Sequence, residues 1–181
     1  MRSLFCYTTI VAAALAAFVS GCSSLPFGRS SSEAKLKPFL GEPSIELQQV
    51  FKNQRFPNIV VATDGTLVAT WGSDGIVARR SGDGGKTWGP EITITKTGIQ
   101  GGGVTIDENS GDIFVFIEDR HPPAPLTVYR SKDSGKTWDK HDAVIHPDSN
   151  GRMPSMHMND HGITLRHGKY AGRLVRPSRH Y

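Results

Sequence analysis

The chain has 181 residues, and its 21 Lys and Arg against 17 Asp and Glu give a formal net charge of +4. This charge is too small and too scattered for a nucleic-acid-binding protein, whose basic residues cluster on one face. No stretch alternates aromatic with basic residues, so we do not expect nucleic acid as a partner.

The N-terminal segment, 1–21, has the pattern of a secretory signal peptide. Arg2 precedes an Ala-rich apolar run that is short for a membrane span and ends in small residues. Val19-Ser20-Gly21-Cys22 resembles a bacterial lipobox, so Cys22 is expected to be acylated and to anchor the protein to a membrane. Ser23 then favours the outer membrane of the bacterial cell envelope. The alternatives are an ordinary cleaved signal, which gives a secreted protein, and an uncleaved anchor.

Residues 22–50 carry Ser, Gly, Pro and alternating charges without clear periodicity, which is typical of a flexible tether. The folded domain is expected to span 51–181. Cys6 would be lost with the signal and Cys22 would carry lipid, so this domain should contain no disulfide.

From Asn58 onward the pattern is that of consecutive β-strands. Asp64-Gly65 lies between two β-branched apolar runs and is a strong hairpin signal. The predicted strands of a first unit are 59–62, 66–71, 75–80 and 91–94, and those of a second unit are 103–106, 112–117, 126–130 and 143–145. A third unit begins with 162–165 and 172–175.

The first two units share one eight-residue phrase, Ser81–Trp88 and Ser131–Trp138, with six identical positions. A fixed spacing of about fifty residues indicates a repeat architecture, and four short strands per repeat are typical of a β-propeller blade. The sequence therefore predicts an all-β fold.

Within each phrase the residue types suit a structural turn. The carboxylate can accept backbone N–H bonds, the glycine permits a positive φ, and the tryptophan can insert its ring between neighbouring sheets. Two equivalent turns cannot both form one active site, which argues against catalysis. The positions are Ser81, Asp83, Gly85 and Trp88 in the first phrase and Ser131, Asp133, Gly135 and Trp138 in the second.

The phrase Ser-x-Asp-x-Gly-x-Thr-Trp resembles the Asp box of the sialidase (neuraminidase) superfamily, whose members are six-bladed propellers. Gln54-Arg55-Phe56-Pro57 resembles the Arg-Ile-Pro motif that opens their first blade. His161–Leu165 and Gly172–Pro177 are similar to the stretch that starts a later blade. The resemblance covers about 53–181 and implies two and a half blades of six.

In that family three arginines grip the carboxylate of a terminal sialic acid. A guanidinium makes a bidentate fork with a carboxylate, which lysine cannot do. The resemblance therefore implies a sialylated glycan as partner, no cofactor, and Arg55 as the first carboxylate ligand. The alternative for Arg55 is a structural role at the entry of the first strand.

The resemblance places a catalytic Asp in the loop after the second strand, where Asp74 is the available carboxylate. A hairpin-turn role for Asp74 is the alternative. Glu118 and Arg120 look like a family motif displaced into the second unit. They could bind substrate, or they could form a surface ion pair.

The tyrosine nucleophile, its glutamate and two further arginines come from later blades in sialidases. The resemblance thus implies a truncated N-terminal part of an exo-α-sialidase, and we expect the 181-residue chain alone to show no sialidase turnover. The competing hypothesis is a non-catalytic Asp-box propeller that binds glycans or a protein partner at the cell surface.

A metal site is a further hypothesis. Soft Met sulfur and His nitrogen can hold Cu(I), and residues 153–161 are rich in both. Lining or packing of the propeller mouth is the alternative, and no metal ligand is assigned. The residues concerned are Met153, Met156, His157, Met158 and His161.

Overall fold

The structure is a computed structural model that describes residues 45–52, 55–157 and 160–180. The predicted signal peptide, Cys22 and most of the predicted tether lie outside those residues. Contacts group the chain into Met1–Ile45 and Glu46–Tyr181, and the fold below belongs to the second unit. Within the described ranges there is no helix with the length and apolar character that crossing a membrane requires.

The first sheet has four antiparallel strands in chain order. They are β1 (Asn58–Val61), β2 (Leu67–Trp71), β3 (Ile76–Ser81) and β4 (Ile92–Thr95). Each strand pairs with the next along the chain, so the sheet is a simple meander of the kind expected for a propeller blade.

The second sheet repeats this arrangement, and a third begins after it. The second consists of β5 (Thr105–Ile106), β6 (Ile113–Glu118), β7 (Leu126–Ser131) and β8 (Asp139–His141). A two-stranded antiparallel sheet of β9 (Ile163–Thr164) and β10 (Leu174–Val175) follows. The described residues contain strands and turns but no helix, which confirms the predicted all-β class.

The predicted hairpin at Asp64-Gly65 joins β1 to β2. The backbone N–H of Ala62 donates to the carbonyl of Thr66 at 2.8 Å, and the N–H of Thr66 donates to Asp64 Oδ1 at 2.9 Å. Gly65 has φ +84°, a value that costs other residues energy. The turn therefore closes through the residue types that indicated it in the sequence.

Both sheets contribute to a single hydrophobic core. In β6 every second side chain is buried, as expected for a strand with one face on the core. The buried residues of the cluster are Ala62, Val68, Ile76, Ala78, Ile94, Val104, Ile113, Val115 and Ile117. Because these residues alternate along neighbouring strands, one face of each sheet packs on the other sheet.

The prediction of the eighth strand at 143–145 is wrong. β8 begins directly after Trp138 and pairs with β7 from Arg130↔Asp139 to Val128↔His141. The apolar residues after it do not pair, and Val144 is 78% exposed. In the first unit Gly89-Pro90 separates the phrase from β4, and a proline cannot donate to a sheet ladder. The second unit has no such break, so its strand starts earlier.

Candidate functional site

Five segments meet at one end of the two sheets. They are the chain before β1, the β2–β3 turn, the chain before β5, the β6–β7 loop and the chain before β9. Gln100 N–H donates to the Gly72 carbonyl at 3.1 Å, and Ile99 and Glu118 exchange backbone hydrogen bonds of 2.7 and 3.0 Å. These bonds bring most of the predicted site residues to the same end, opposite the Asp boxes that follow β3 and β7.

Arg55 lies exposed just before β1. Its carbonyl accepts a hydrogen bond from Gly72 N–H at 3.2 Å, and its guanidinium lies 4.8 Å from the centre of the Phe56 ring. Phe56 has φ +59°, a left-handed conformation that is rare for a bulky residue. Among the described residues Arg55 makes no ion pair, so its guanidinium is available to a ligand.

Asp74 is exposed in the tight β2–β3 turn. Gly72 and Gly75 flank this turn, with φ +149° and +87°. A side chain on Gly72 would collide with the Gly75 carbonyl, so the turn requires glycine there. The Gly72–Arg55 bond places the Asp74 turn beside Arg55, as the prediction requires, although the role of Asp74 stays a prediction.

Glu118 is fully buried, with 0% of its surface exposed. Its Oε1 accepts hydrogen bonds from Ser155 Oγ at 2.6 Å and Met156 N–H at 3.0 Å. Its Oε2 is buried and has no hydrogen-bond partner among the described residues. A buried acceptor without a partner is costly, and it marks a place where water or a ligand group is needed.

Arg120 does not pair with Glu118. Its side chain is 67% exposed and forms an ion pair of 3.3 Å with the adjacent Asp119. The alternative of a Glu118–Arg120 surface pair is therefore wrong, since Glu118 lies in the interior. The structure separates the two residues, and the assignment of both as substrate ligands stays a prediction.

His157 is a buried residue of the site, 6% exposed. Its backbone N–H donates to Ser155 Oγ at 3.1 Å, and its ring packs edge-on against Phe56 and His121, with centroid distances of 5.5 and 4.8 Å. Burial lowers the pKa of His157 below its ordinary value, and the neighbouring His121 acts in the same direction. Both effects favour the neutral form of the imidazole.

Arg176 is a further cation of the site, and the sequence prediction did not assign it. Its Nη1 donates to Thr105 Oγ1 at 3.0 Å, its Nε lies 3.0 Å from Met156 Sδ, and its guanidinium stacks on Phe116 at 4.5 Å. Burial lowers the pKa of Arg176 to about 10, against an opposing effect of Asp160. Its Nη2 is buried without a partner among the described residues.

The run Gly101-Gly102-Gly103 explains how these buried groups fit together. A Cβ on Gly101 would lie 2.6 Å from His157 Cα and 2.9 Å from Glu118 Oε2, and one on Gly102 would lie 2.5 Å from Arg176 Nη2. Three successive glycines thus let the chain before β9 lie directly on the chain before β5. This run was the sequence signal that could have located the buried part of the site.

The described Met and His residues of 153–161 do not share a common set of contacts. Met156 faces Arg176, His161 Nδ1 lies 2.8 Å from Asp160 Oδ1, and Met153 is 52% exposed. Met158 lies outside the described residues. No group of three or more His, Cys, Asp or Glu among the described residues is arranged to hold a metal ion.

The two Asp boxes have the same internal hydrogen bonds. In the first, Ser81 Oγ donates to Asp83 Oδ1 at 2.7 Å and accepts from Gly85 N–H at 2.8 Å. In the second, the corresponding distances from Ser131 are both 2.8 Å. Each carboxylate also accepts from the N–H and the hydroxyl of the threonine four residues on, at 2.9 and 2.6 Å.

These bonds hold the pKa of both box carboxylates below the usual range. For Asp83 the hydrogen bonds of Thr87 are the main cause. For Asp133 partial burial acts to raise the pKa, but the bonds from Thr137 and Ser131 outweigh it. Carboxylates that remain ionised and fully bonded at a turn cannot easily act as general acids.

Comparison with known proteins supports a family assignment, although no protein-family model matches the chain. The chain is 31% identical to a sialidase of Micromonospora viridifaciens over an aligned region of 160 residues, which covers 69% of this chain and 25% of that protein. It thus spans about a quarter of this relative. The structure is similar to Hadza microbial sialidase Hz136 at 23% identity and a TM-score of 0.43, over 62% of this chain and 30% of that one.

The sequence identity agrees with the features described above, namely two Asp boxes fifty residues apart on four-stranded antiparallel meanders. A turn motif alone occurs on many scaffolds, but identity over most of the chain does not arise from two short phrases. The chain therefore belongs to the sialidase superfamily.

Proposed function

We propose that the chain carries the carboxylate-binding part of a glycoside hydrolase of the exo-α-sialidase type, which releases terminal sialic acids from glycoconjugates, and that Arg55 binds the sugar carboxylate. The observation that carries the proposal is the exposed guanidinium of Arg55, which has no ion-pair partner among the described residues. A guanidinium in this state can form a bidentate pair with a carboxylate.

The neighbouring turn supplies the second part of the proposed chemistry. Departure of the aglycone through an oxocarbenium-like transition state needs a proton on the leaving oxygen. Asp74 would donate this proton, because the Gly72–Arg55 hydrogen bond of 3.2 Å keeps its turn beside the carboxylate-binding arginine. Arg120 would bind a substrate anion only by exchanging its ion pair with Asp119.

Binding of N-acetylneuraminic acid and of its methyl ester tests the role of Arg55. Esterification removes the carboxylate charge, so wild type should bind the acid but should not bind the methyl ester. Arg55→Lys keeps the charge but not the fork and should weaken binding of the acid about tenfold or more. Arg173→Lys is the matched control, since Arg173 stacks on Tyr170 at 4.3 Å. Equal binding of acid and ester, or an Arg55→Lys variant that binds like wild type, would refute the proposal.

The alternative is a non-catalytic module that binds glycans or a protein partner. The exposure of Asp74 favours it, because a general acid usually needs a sheltered environment. The two functions differ in the Asp74→Asn variant of the protein purified from its native host. For the hydrolase, release of a fluorogenic sialoside is lost while binding persists. For the module, wild type binds but releases nothing.

We propose further that Cys22 carries lipid and anchors the protein to the bacterial outer membrane, on the basis of its lipobox-like context. Labelled fatty acid should be incorporated into wild type and not into Cys22→Ala. Incorporation that survives this substitution would contradict the anchor.

A further inference from the structure

Buried hydrogen bonds connect Glu118, at the end of β6 in the second sheet, to the segment before β9. Glu118 Oε1 receives Ser155 Oγ at 2.6 Å and Met156 N–H at 3.0 Å, and the same Ser155 hydroxyl receives His157 N–H at 3.1 Å. Ser155 also exchanges backbone hydrogen bonds with Arg179, at 2.6 and 3.0 Å. The position of His157 is therefore set by a fully buried carboxylate.

The His157 ring in turn supports the platform on which Arg55 lies. The imidazole packs edge-on against Phe56 at 5.5 Å, and Arg55 stacks on the Phe56 ring at 4.8 Å. Phe56 is held in a left-handed backbone conformation directly before Pro57. A continuous set of contacts thus runs from Glu118 through Ser155, His157 and Phe56 to Arg55.

We propose that His157 is a positioning residue for Arg55, held from behind by Glu118, and that carboxylate binding at Arg55 is coupled to proton uptake by His157. The proposal rests on the proposed function for its ligand, the carboxylate of a sialic acid. Its contacts do not depend on that function, and neither does the first of its two tests.

The charges around His157 set the direction of the coupling. His121, Arg179 and Arg55 disfavour its protonated form, whereas Glu118 favours it. A carboxylate bound at Arg55 would offset one of the three unfavourable groups and raise the pKa of His157. By linkage, protonation of His157 must then strengthen carboxylate binding to the same extent. Since an α-carboxyl group remains ionised above about pH 4, affinity should rise as pH falls from 7.5 to 5.5.

The first test needs no ligand. The titration midpoint of His157, identified by the signal missing in His157→Gln, is followed by NMR in wild type and in Arg55→Gln. Removal of a cation across one aromatic ring should raise the midpoint by about 0.3 pH units. Arg173→Gln is the control and should leave it in place. An unchanged midpoint in Arg55→Gln would overturn the proposed coupling.

The second test measures the affinity for N-acetylneuraminic acid at pH 7.5 and pH 5.5. Wild type should bind up to about twofold more tightly at the lower pH, and His157→Gln should show no such gain. Glu118→Gln should bind more weakly at both pH values, and Ser155→Ala replaces it if thermal unfolding shows that Glu118→Gln is not folded. Binding without pH dependence in wild type would sink the coupling. Absence of any binding, with the NMR shift present, would refute only the proposed function.

Discussion

The two Asp boxes share a sequence and an internal geometry but differ in their surroundings. Gly135 of the second box is buried against Val68 of β2, and the carbonyl of the preceding residue, Ser134, accepts a hydrogen bond from Arg80 Nε at 2.7 Å. The first box has Gln48 as its neighbour, which accepts the indole N–H of Trp88 at 3.3 Å. The comparison separates what the phrase itself specifies from what its neighbours add.

The hydrogen bonds that form the turn lie within the box, whereas the contacts that dock the second box are made by residues of the first sheet. The side-chain hydrogen bonds of Ser, Asp and Thr in each box are made within the box, so the residues of the phrase themselves specify the turn. The second box docks because the first sheet presents Val68 and Arg80 to it. Trp138 accordingly packs against the hydrophobic core, whereas Trp88 is half-buried and does not belong to that cluster. Contact with the core cluster thus distinguishes Trp138 from Trp88, and insertion of the two rings between neighbouring sheets stays a prediction.

The largest difference is expected between Gly135→Ala and Gly85→Ala. Both glycines have positive φ, +82° and +91°, so both substitutions introduce backbone strain. At Gly135 the new Cβ would also lie 2.9 Å from Val68 Cγ1, whereas at Gly85 the nearest atom is 3.4 Å away. We expect losses of about 2–4 and about 1–2 kcal/mol in the free energy of unfolding.

Urea unfolding of the two variants measures this difference. Gly84→Ala is a useful control, because its Cβ would meet nothing within 4 Å and only the φ of +74° would be strained. Equal losses for Gly135 and Gly85 would show that the second box is not docked on the first sheet.

Truncation of the tryptophans should give a smaller contrast. Trp138→Ala removes a half-buried ring from the core cluster and should cost about 2–3 kcal/mol, while Trp88→Ala should cost about 1 kcal/mol. Urea unfolding of the two variants measures both losses in the free energy of unfolding. A greater loss for Trp88 would indicate that the first box has a packing partner comparable to that of the second.

Acid should lower the stability contributed by the two boxes to the same extent, and this effect should be smaller than those of the substitutions above. The folded-state pKa values of Asp83 and Asp133 lie below the usual value, so the stability that they contribute is present above about pH 4. It is lost as pH falls through the lower, folded-state pKa. Asp83→Asn and Asp133→Asn should each flatten the fall in unfolding free energy below pH 4. Flattening in only one box would contradict the view that the turns are equivalent.

The predictable parts of the fold are those that depend on neighbouring residues in the chain. Alternation of β-branched and polar residues predicted the strands, and Asp64-Gly65 predicted its hairpin. The eighth strand was missed because the apolar residues around Val144 look like a strand, while the residues that pair with β7 are polar. The position of β8 is set by its pairing with β7 and not by the hydrophobicity of its own residues.

The sequence named Arg55, Asp74 and Glu118 as candidate site residues, but it did not predict which of these side chains would be buried. Arg55 and Asp74 stand in motifs of the expected kind, and the fold brings their segments together. Glu118 was expected either to bind substrate or to form a surface ion pair, and its burial was not predicted, because its hydrogen-bond partner Ser155 is 37 residues away in sequence. Contacts of that separation leave no local pattern, apart from the glycines at 101–103 that make room for them.

The most direct test asks whether ligand recognition and scaffold stability can be separated. Calorimetric titration with N-acetylneuraminic acid, paired with urea unfolding, is applied to wild type, Arg55→Lys and Ser131→Ala. Arg55→Lys should lose about tenfold or more in affinity with an unchanged free energy of unfolding, since Arg55 is exposed. Ser131→Ala should lose about 1–2 kcal/mol of stability and keep its affinity within about twofold. Loss of binding in Ser131→Ala with full binding in Arg55→Lys would contradict the assignment of recognition to Arg55 and of structure to the Asp boxes.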